Sequence, residues 1–504
     1  MSEMRDVTLD LPADRFRTLG YQLVDRIAEH LASLPAAKVT AAESPLDVRR
    51  ALNAERGLPE SASDPGELLE RAAALLFEHS LFNGHPRFLG YITSSAAPIG
   101  MLAELLAAAV NANCGLWTLS PIGTEIEAQT VRWIAELIGF PADGGGLLVS
   151  GGNMANFVGL LAARAAKAGS DVRTDGIRPA APRLVMYGSA ETHTWIQKAA
   201  DLFGFGTDAV RWIPVDGQQR MKVPELRRQI QIDRDRGDLP FLVVGTAGSV
   251  STGAVDPLEE IAVLCRAEDL WFHVDGAYGA LAARVPGAPA DLRAIALADS
   301  VAVDPHKWLY APLEAGCTIV RDANHLRRAF SYHPAYYHFE RDVVNFVDYG
   351  PQNSRGLRAL KVWLALQQVG RAGALRMIAD DISLSRELFD RAGAHERLEA
   401  LTQSLSIATF RYVPIDLRER VGEPETEMYL NRLNEELLTR IERSGEAFLS
   451  KAVVAGKAAL RACIVNFRTT RADLEVVVDL CVRLGDTVDE ALRLQLHAPN
   501  GRTG

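Results

Sequence analysis

Lys307 follows the short apolar run Ser300–Val303 in "SVAVDPHKWLYAP", and Asp275 closes another such run in "WFHVDGAYGA". A third segment, "LLVSGGNMANFVGLLAARAA", passes from an apolar run through Ser150-Gly151-Gly152-Asn153 into a helical pattern. Each residue type suits one task. A lysine amine at a strand end forms an imine with an aldehyde. A carboxylate at a buried strand end needs a cationic partner, and the small residues after Asp275 leave room for a flat group. Glycines at the start of a helix let backbone N–H groups approach an anion. The turn is neither a dinucleotide G-x-G-x-x-G nor a P-loop, which carries Lys-Ser/Thr. Phosphate cradle, carboxylate and imine-forming lysine together describe a site for pyridoxal 5′-phosphate.

Such groups converge only if their strands lie side by side. Between about 140 and 320, apolar β-rich runs at 147–152, 183–189, 210–215, 241–248, 271–278, 300–303 and 317–322 alternate with helical stretches. That alternation predicts an α/β fold with a mainly parallel seven-stranded sheet, whose strand ends bind ligands. Upstream, Phe16, Leu19, Leu23, Ile27 and Leu31 recur at helical spacing, and 45–56 and 66–79 continue the helical pattern. This predicts an amino-terminal helical layer, 1–85, that covers another surface. Residues 86–375 form the large cofactor domain in this reading. Residues 376–504, with strand-like runs at 406–414 and 460–469 and a helix at 424–442, form a small α+β domain.

Bulk properties narrow the partners. The chain has 504 residues, with 54 basic and 64 acidic side chains and a formal net charge of −10. No basic run interleaves with aromatics, so nucleic acid is not an expected partner. The five cysteines are widely spaced and never in C-x-x-C spacing, which predicts neither disulfides nor a metal site and fits a reducing cytoplasm. The start "MSEMRDVTLDLPADRF" lacks an apolar signal core, and the long apolar stretch Ala96 to Ala112 is broken by Pro98 and Glu104, so no membrane partner is expected.

"HPRFLGYITSSAAP", "SPIGTEIE", "SGGNMANFVGLLAAR", "GTAGSVSTGAVDPLEEI", "HVDGAYG" and "DPHKW" follow one another in an order that resembles the pyridoxal-phosphate-dependent group II amino-acid decarboxylases, over about residues 10 to 485. The resemblance implies the aspartate-aminotransferase-like fold (PLP fold type I) and a homodimer with the active site at the interface. It implies decarboxylation of an L-amino acid, first choice aromatic, to the amine and CO2 through a Lys307 Schiff base and a quinonoid intermediate. Lys307 resembles the cofactor lysine and His306 the neighbour that helps hold the phosphate. Asp275 resembles the ring-nitrogen partner, Ala277 the small residue under one ring face, His193 the imidazole on the other face, and Thr246 a threonine beside the cofactor. Gly151, Gly152 and Asn153 fall where the family contacts phosphate. His273 reads instead as a core histidine on the Asp275 strand.

In "FSYHPAYYHFERDVVNFVDYG" (330–350), Tyr336 matches the family's loop tyrosine, the proton donor, with His333 replacing an aspartate and Tyr337 a nearby competitor. Members with phenylalanine there divert to oxygen-dependent aldehyde synthesis, so Tyr336 favours decarboxylation. Tyr91, Ile92, Asn113 and Trp117 fall in pocket-lining stretches, with Leu119 nearby. Asn113 and Gly115 stand where animal aromatic decarboxylases carry bulky apolar residues, so glutamate or another polar amino acid is an alternative substrate, with Arg87 the nearby cation for a side-chain carboxylate. An aldehyde synthase or an aminotransferase, the latter with Arg468 as carboxylate clamp, are the alternative reactions.

Overall fold

The computed structural model describes residues 9–169, 171–177, 181–333 and 343–497. Three helices come first, α1 (Ala13–Ser33), α2 (Pro45–Leu52) and α3 (Pro65–His79). Their starts are set locally. Ser44 and Asp47 form a reciprocal capping box before α2, and Asp64 accepts the Gly66 and Glu67 N–H groups before α3. Helices α4 (Pro98–Val110) and α5 (Pro121–Ile138) lead to the large sheet.

Its strands are β1 (Gly145–Val149), β2 (Leu184–Ser189), β3 (Val210–Ile213), β4 (Leu239–Thr246), β5 (Trp271–Asp275), β6 (Ser300–Val303) and β7 (Gly316–Val320). The order is β1-β7-β6-β5-β4-β2-β3. β7 pairs antiparallel with both β1 and β6, while the other pairings are parallel. Six strands therefore share one direction, and the carboxyl ends of β1, β4, β5 and β6 face the same edge. Helices α6 (Gly152–Lys167), α7 (Val172–Asp175), α8 (Trp195–Leu202), α9 (Val223–Asp235), α10 (Leu258–Ala267) and α11 (Ala323–Phe330) connect and cover the strands. Two apolar cores result, one on each face of the sheet. Burial on both faces is why these strands read as continuous apolar runs.

Helix α12 (Ala359–Ala394) breaks at Gly370, whose φ of 64° is left-handed, and carries the chain onward. A second sheet follows, built from β8 (Leu398–Ser404), β9 (Ile407–Tyr412), β10 (Ser450–Val454) and β11 (Lys457–Cys463) in the order β10-β11-β9-β8, all antiparallel. Helices α13 (Pro424–Ser444) and α14 (Arg471–His497) pack on it around a third core. Residues near Leu89 join this sheet, since Leu89 N–H donates to the Phe448 carbonyl and its own carbonyl accepts from Cys463 N–H, each at 2.8 Å. Among the described residues no helix is long and apolar enough to cross a membrane.

Candidate active site

The turn from β1 into α6 places Gly151 at φ +84°, a conformation that suits glycine. A Cβ on Gly152 would lie 2.7 Å from Asp304 Oδ2 and 3.2 Å from Ala277 Cβ, so only glycine leaves this cradle open. The first N–H groups of a helix such as α6 have no intrahelical acceptor, and they point toward the turn.

Asp275 ends β5, next to Thr246 at the end of β4 in the parallel register. The Asp275 carboxylate is 8% exposed. Its Oδ2 accepts from Trp195 Nε1 at 2.8 Å and its Oδ1 from Ala277 N–H at 3.3 Å. Thr246 N–H donates to Asp256 at 2.8 Å, and burial pushes Asp256 up to about 6. His193 is exposed at the start of α8, its Nδ1 accepting from Trp195 N–H at 3.2 Å.

Past the end of β6, Lys307 Nζ lies 3.1 Å from Asp304 Oδ2. Asp304 is 2% exposed, and its other oxygen is buried with no protein partner. His306 Nδ1 lies 2.6 Å from the Ala315 carbonyl oxygen, and its ring edge would lie against a Cβ on Gly151. Burial holds the His306 imidazole below its ordinary value.

A cavity of about 130 Å³ joins these groups. Of the residues singled out in the sequence, Ile92, Gly152, Asn153, His193, Thr246, Asp275, Ala277 and Lys307 line it, and Gly151 and His306 adjoin it through the turn and the lysine loop. Tyr91, Asn113 and Trp117 are not on its wall. Tyr91 is exposed, Asn113 Oδ1 accepts from Gly115 and Arg355 N–H groups, and Trp117 Nε1 donates to Glu125 at 2.9 Å. Tyr336 and Tyr337 lie outside the described residues, whereas His333 Nε2 lies 3.1 Å from Asp348 Oδ1. Arg468 stacks on Phe467 and is not on the wall either.

Trp195, which holds Asp275, and the wall residues Asp304 and Glu191 were not singled out in the sequence. A signal existed for the first, because a buried indole N–H requires an acceptor. Asp304 stood inside the lysine segment, but its contact with Lys307 is visible only in the fold.

His273 is the core residue expected. Its Nε2 donates to Asn156 Oδ1 at 2.8 Å, and Nδ1 accepts from Ser300 Oγ at 2.7 Å, while Trp271 Nε1 donates to the same hydroxyl. Asn156 in turn donates to the Gly152 carbonyl at 2.9 Å, so the network braces the cradle from behind. Burial depresses His273 to about 4. Between an unfolded value near 6.5 and that folded value, the unfolded chain takes up a proton that the folded chain does not. Stability present at neutral pH is therefore lost as pH falls through this window, by on the order of 3 kcal/mol. Urea midpoints at pH 7 and pH 4.5 are expected to differ less in His273→Gln than in the parent; equal differences would remove His273 as the cause.

The glycine cradle, the oriented Asp275 carboxylate and the lysine amine suit the phosphate, the ring nitrogen and the aldehyde of pyridoxal 5′-phosphate. A family model described as the pyridoxal-dependent decarboxylase conserved domain matches residues 45–413. An aromatic-L-amino-acid decarboxylase of Bacillus atrophaeus is 35% identical over 471 residues, covering 92% of this chain and 94% of that one. An acidic amino acid decarboxylase of Homo sapiens is 30% identical over 455 residues, covering 89% and 86%. The crystal structure of Oryza sativa TDC with PLP and tryptamine matches with a TM-score of 0.87 at 25% identity, covering 96% of this chain and 99% of that one.

Proposed function

The chain belongs to the pyridoxal-dependent decarboxylase family and is an amino-acid decarboxylase that uses pyridoxal 5′-phosphate, and from that premise we propose that its substrate is an aromatic L-amino acid. The charge of the cavity wall carries this choice. Among the described lining residues Lys307 is the one lysine or arginine, set against Glu191, Asp275 and Asp304. An acidic side chain would meet carboxylates there without a guanidinium. Arg87, the cation considered for that task, donates from Nε to the Glu446 carbonyl at 2.7 Å and pairs with Asp473 at 3.5 Å. Ile92, Val250 and Tyr278 supply apolar wall instead. The name of the Bacillus atrophaeus relative supports the same class.

In this reading Gly151, Gly152, Asn153 and His306 hold the phosphate, Ala277 and His193 bound the ring, Thr246 lies beside it, and Lys307 holds the aldehyde carbon. Bound pyridoxal 5′-phosphate supplies an aldehyde for the substrate amine and a cationic ring that accepts the electrons left by CO2. Asp275 keeps the proton on the ring nitrogen, and Trp195 fixes the direction of that carboxylate. Asp304 Oδ2, 3.1 Å from Lys307 Nζ, orients that amine. Loss of CO2 leaves the substrate carbon one proton short. By its match to the family's loop tyrosine, Tyr336 supplies that proton as general acid.

The test is to incubate the holoenzyme and Tyr336→Phe with aromatic and acidic L-amino acids and to assay CO2, amine, aldehyde and peroxide together. The parent is expected to give CO2 and equimolar amine from an aromatic acid, and Tyr336→Phe less amine. Turnover of acidic substrates alone would overturn the substrate class. Aldehyde with peroxide, or keto acid without CO2, would overturn the reaction.

The same reading makes the enzyme a cytoplasmic homodimer with three parts, 1–85, 86–375 and 376–504. Phe16, Tyr21 and Val24 of α1 and Leu102, Leu105 and Leu106 of α4 are exposed apolar residues that a second copy would cover. Sedimentation equilibrium is expected to give twice the chain mass of 54.9 kDa, and a stable active monomer would refute the dimer.

A further inference from the structure

Asp381 sits on α12, beyond the break at Gly370, and is 2% exposed. One of its oxygens, Oδ2, accepts from Trp308 Nε1 at 3.0 Å and from the Tyr310 hydroxyl at 2.7 Å. The Asn466 backbone N–H, just past β11 of the small sheet, also favours the ionised carboxylate. The carboxylate thus joins the long helix, the small sheet and the loop that carries Lys307.

That loop needs support. Tyr310 has φ +52°, a left-handed conformation that bulky residues avoid unless their surroundings hold them there. Tyr310 N–H donates to the Lys307 carbonyl at 3.1 Å, and Lys307 N–H donates to the Asp304 carbonyl at 2.9 Å. A shift of Tyr310 therefore moves the Lys307 backbone. Trp308 is held on its other side by the Tyr278 ring, stacked at 4.6 Å between centroids, and Tyr278 OH bonds to Ser406 at the β8–β9 turn. Burial and the neighbouring Asp381 hold the Tyr310 phenol well above its ordinary value, which keeps it a donor. Burial pushes Asp381 itself up to about 7, against its hydrogen-bond donors, each of which lowers it.

We propose that Asp381 is a positioning residue for the cofactor lysine: through Trp308 and Tyr310 it fixes the Lys307 turn and ties its placement to α12 and the small sheet. The proposal rests on the reading that Lys307 holds the cofactor. A displacement of about 1 Å at a reacting group costs up to about a hundredfold in rate, so a remote anchor has a measurable effect.

The test compares holoenzyme forms of Asp381→Ala, Asp381→Asn and Tyr310→Phe by steady-state kinetics and by visible circular dichroism per mole of bound cofactor. Asp381→Ala is expected to lower kcat by about tenfold to a hundredfold with KM within about twofold, and to change the dichroism. Asp381→Asn keeps an oxygen able to accept from Trp308 and Tyr310 and is expected to recover most of both signals. Tyr310→Phe removes one hydroxyl and keeps the ring, so it carries the test if Asp381→Ala does not fold. Parent-like dichroism and kcat in Tyr310→Phe and Asp381→Ala, or a lowered melting temperature as their sole change, would overturn the proposal. Borohydride reduction of the parent followed by peptide mapping shows separately whether the cofactor is bonded to Lys307.

Discussion

Lys307→Ala is expected to lose decarboxylation by at least about a thousandfold and to lose the visible absorbance of lysine-bound cofactor, while phosphate contacts retain some cofactor noncovalently. No other amine side chain lies among the described residues of the cavity wall. The substitution also has a folding consequence. Asp304 would remain 2% exposed with the Lys307 amine gone, and stranding a buried carboxylate costs about 3 kcal/mol. Chemistry and stability separate in the double variant Asp304→Asn/Lys307→Ala, which removes both charges. Its unfolding midpoint is expected to return toward the parent while its activity stays absent. Activity restored together with stability would mean that Lys307 acts through the fold and not at the cofactor.

The three chemical segments were legible because a strand buried on both faces has one informative end. The apolar runs stop at Val149, Val274 and Val303, and the polar or glycine residues that follow each stop are the ones brought together. The reversed direction of β7 was not legible. β1, β6 and β7 are all buried apolar runs, and such a run reads the same in either direction. In the small sheet, β9 and β11 were visible as apolar runs. β8 and β10 were not, since "LEALTQS" is half-buried and "SKAVV" is a short alternating edge. The Gly370 break was hidden because helical periodicity continues on both sides of it. Pairwise roles were the least visible. Trp195 reaches Asp275 across 80 residues, and Asp304 became part of the site only through the distance from its carboxylate to Lys307. Asn113 read as pocket wall because it falls in a stretch that resembles the family's pocket lining, whereas its side-chain oxygen accepts from two backbone N–H groups.

Asp275→Asn is expected to lower kcat by about a hundredfold with the cofactor still attached to Lys307. The substitution keeps the side-chain shape and removes its charge, and charge is what holds a proton on a ring nitrogen. It also sets an amide where a carboxylate accepted two bonds. If its NH2 faces Trp195 Nε1, two donors oppose each other; if its oxygen does, the NH2 faces Ala277 N–H. Trp195→Phe separates orientation from charge, since it leaves the carboxylate anionic and removes only the indole donor. Its expected loss is about tenfold, smaller than that of Asp275→Asn. A cofactor analogue methylated on the ring nitrogen carries a fixed positive charge and needs no carboxylate to keep it. It is therefore expected to restore a large part of the rate in Asp275→Asn and none in Lys307→Ala. A loss in Trp195→Phe as large as that in Asp275→Asn, with no rescue by the analogue, would show that Asp275 serves to place Trp195 and α8 and that the ring charge is held elsewhere.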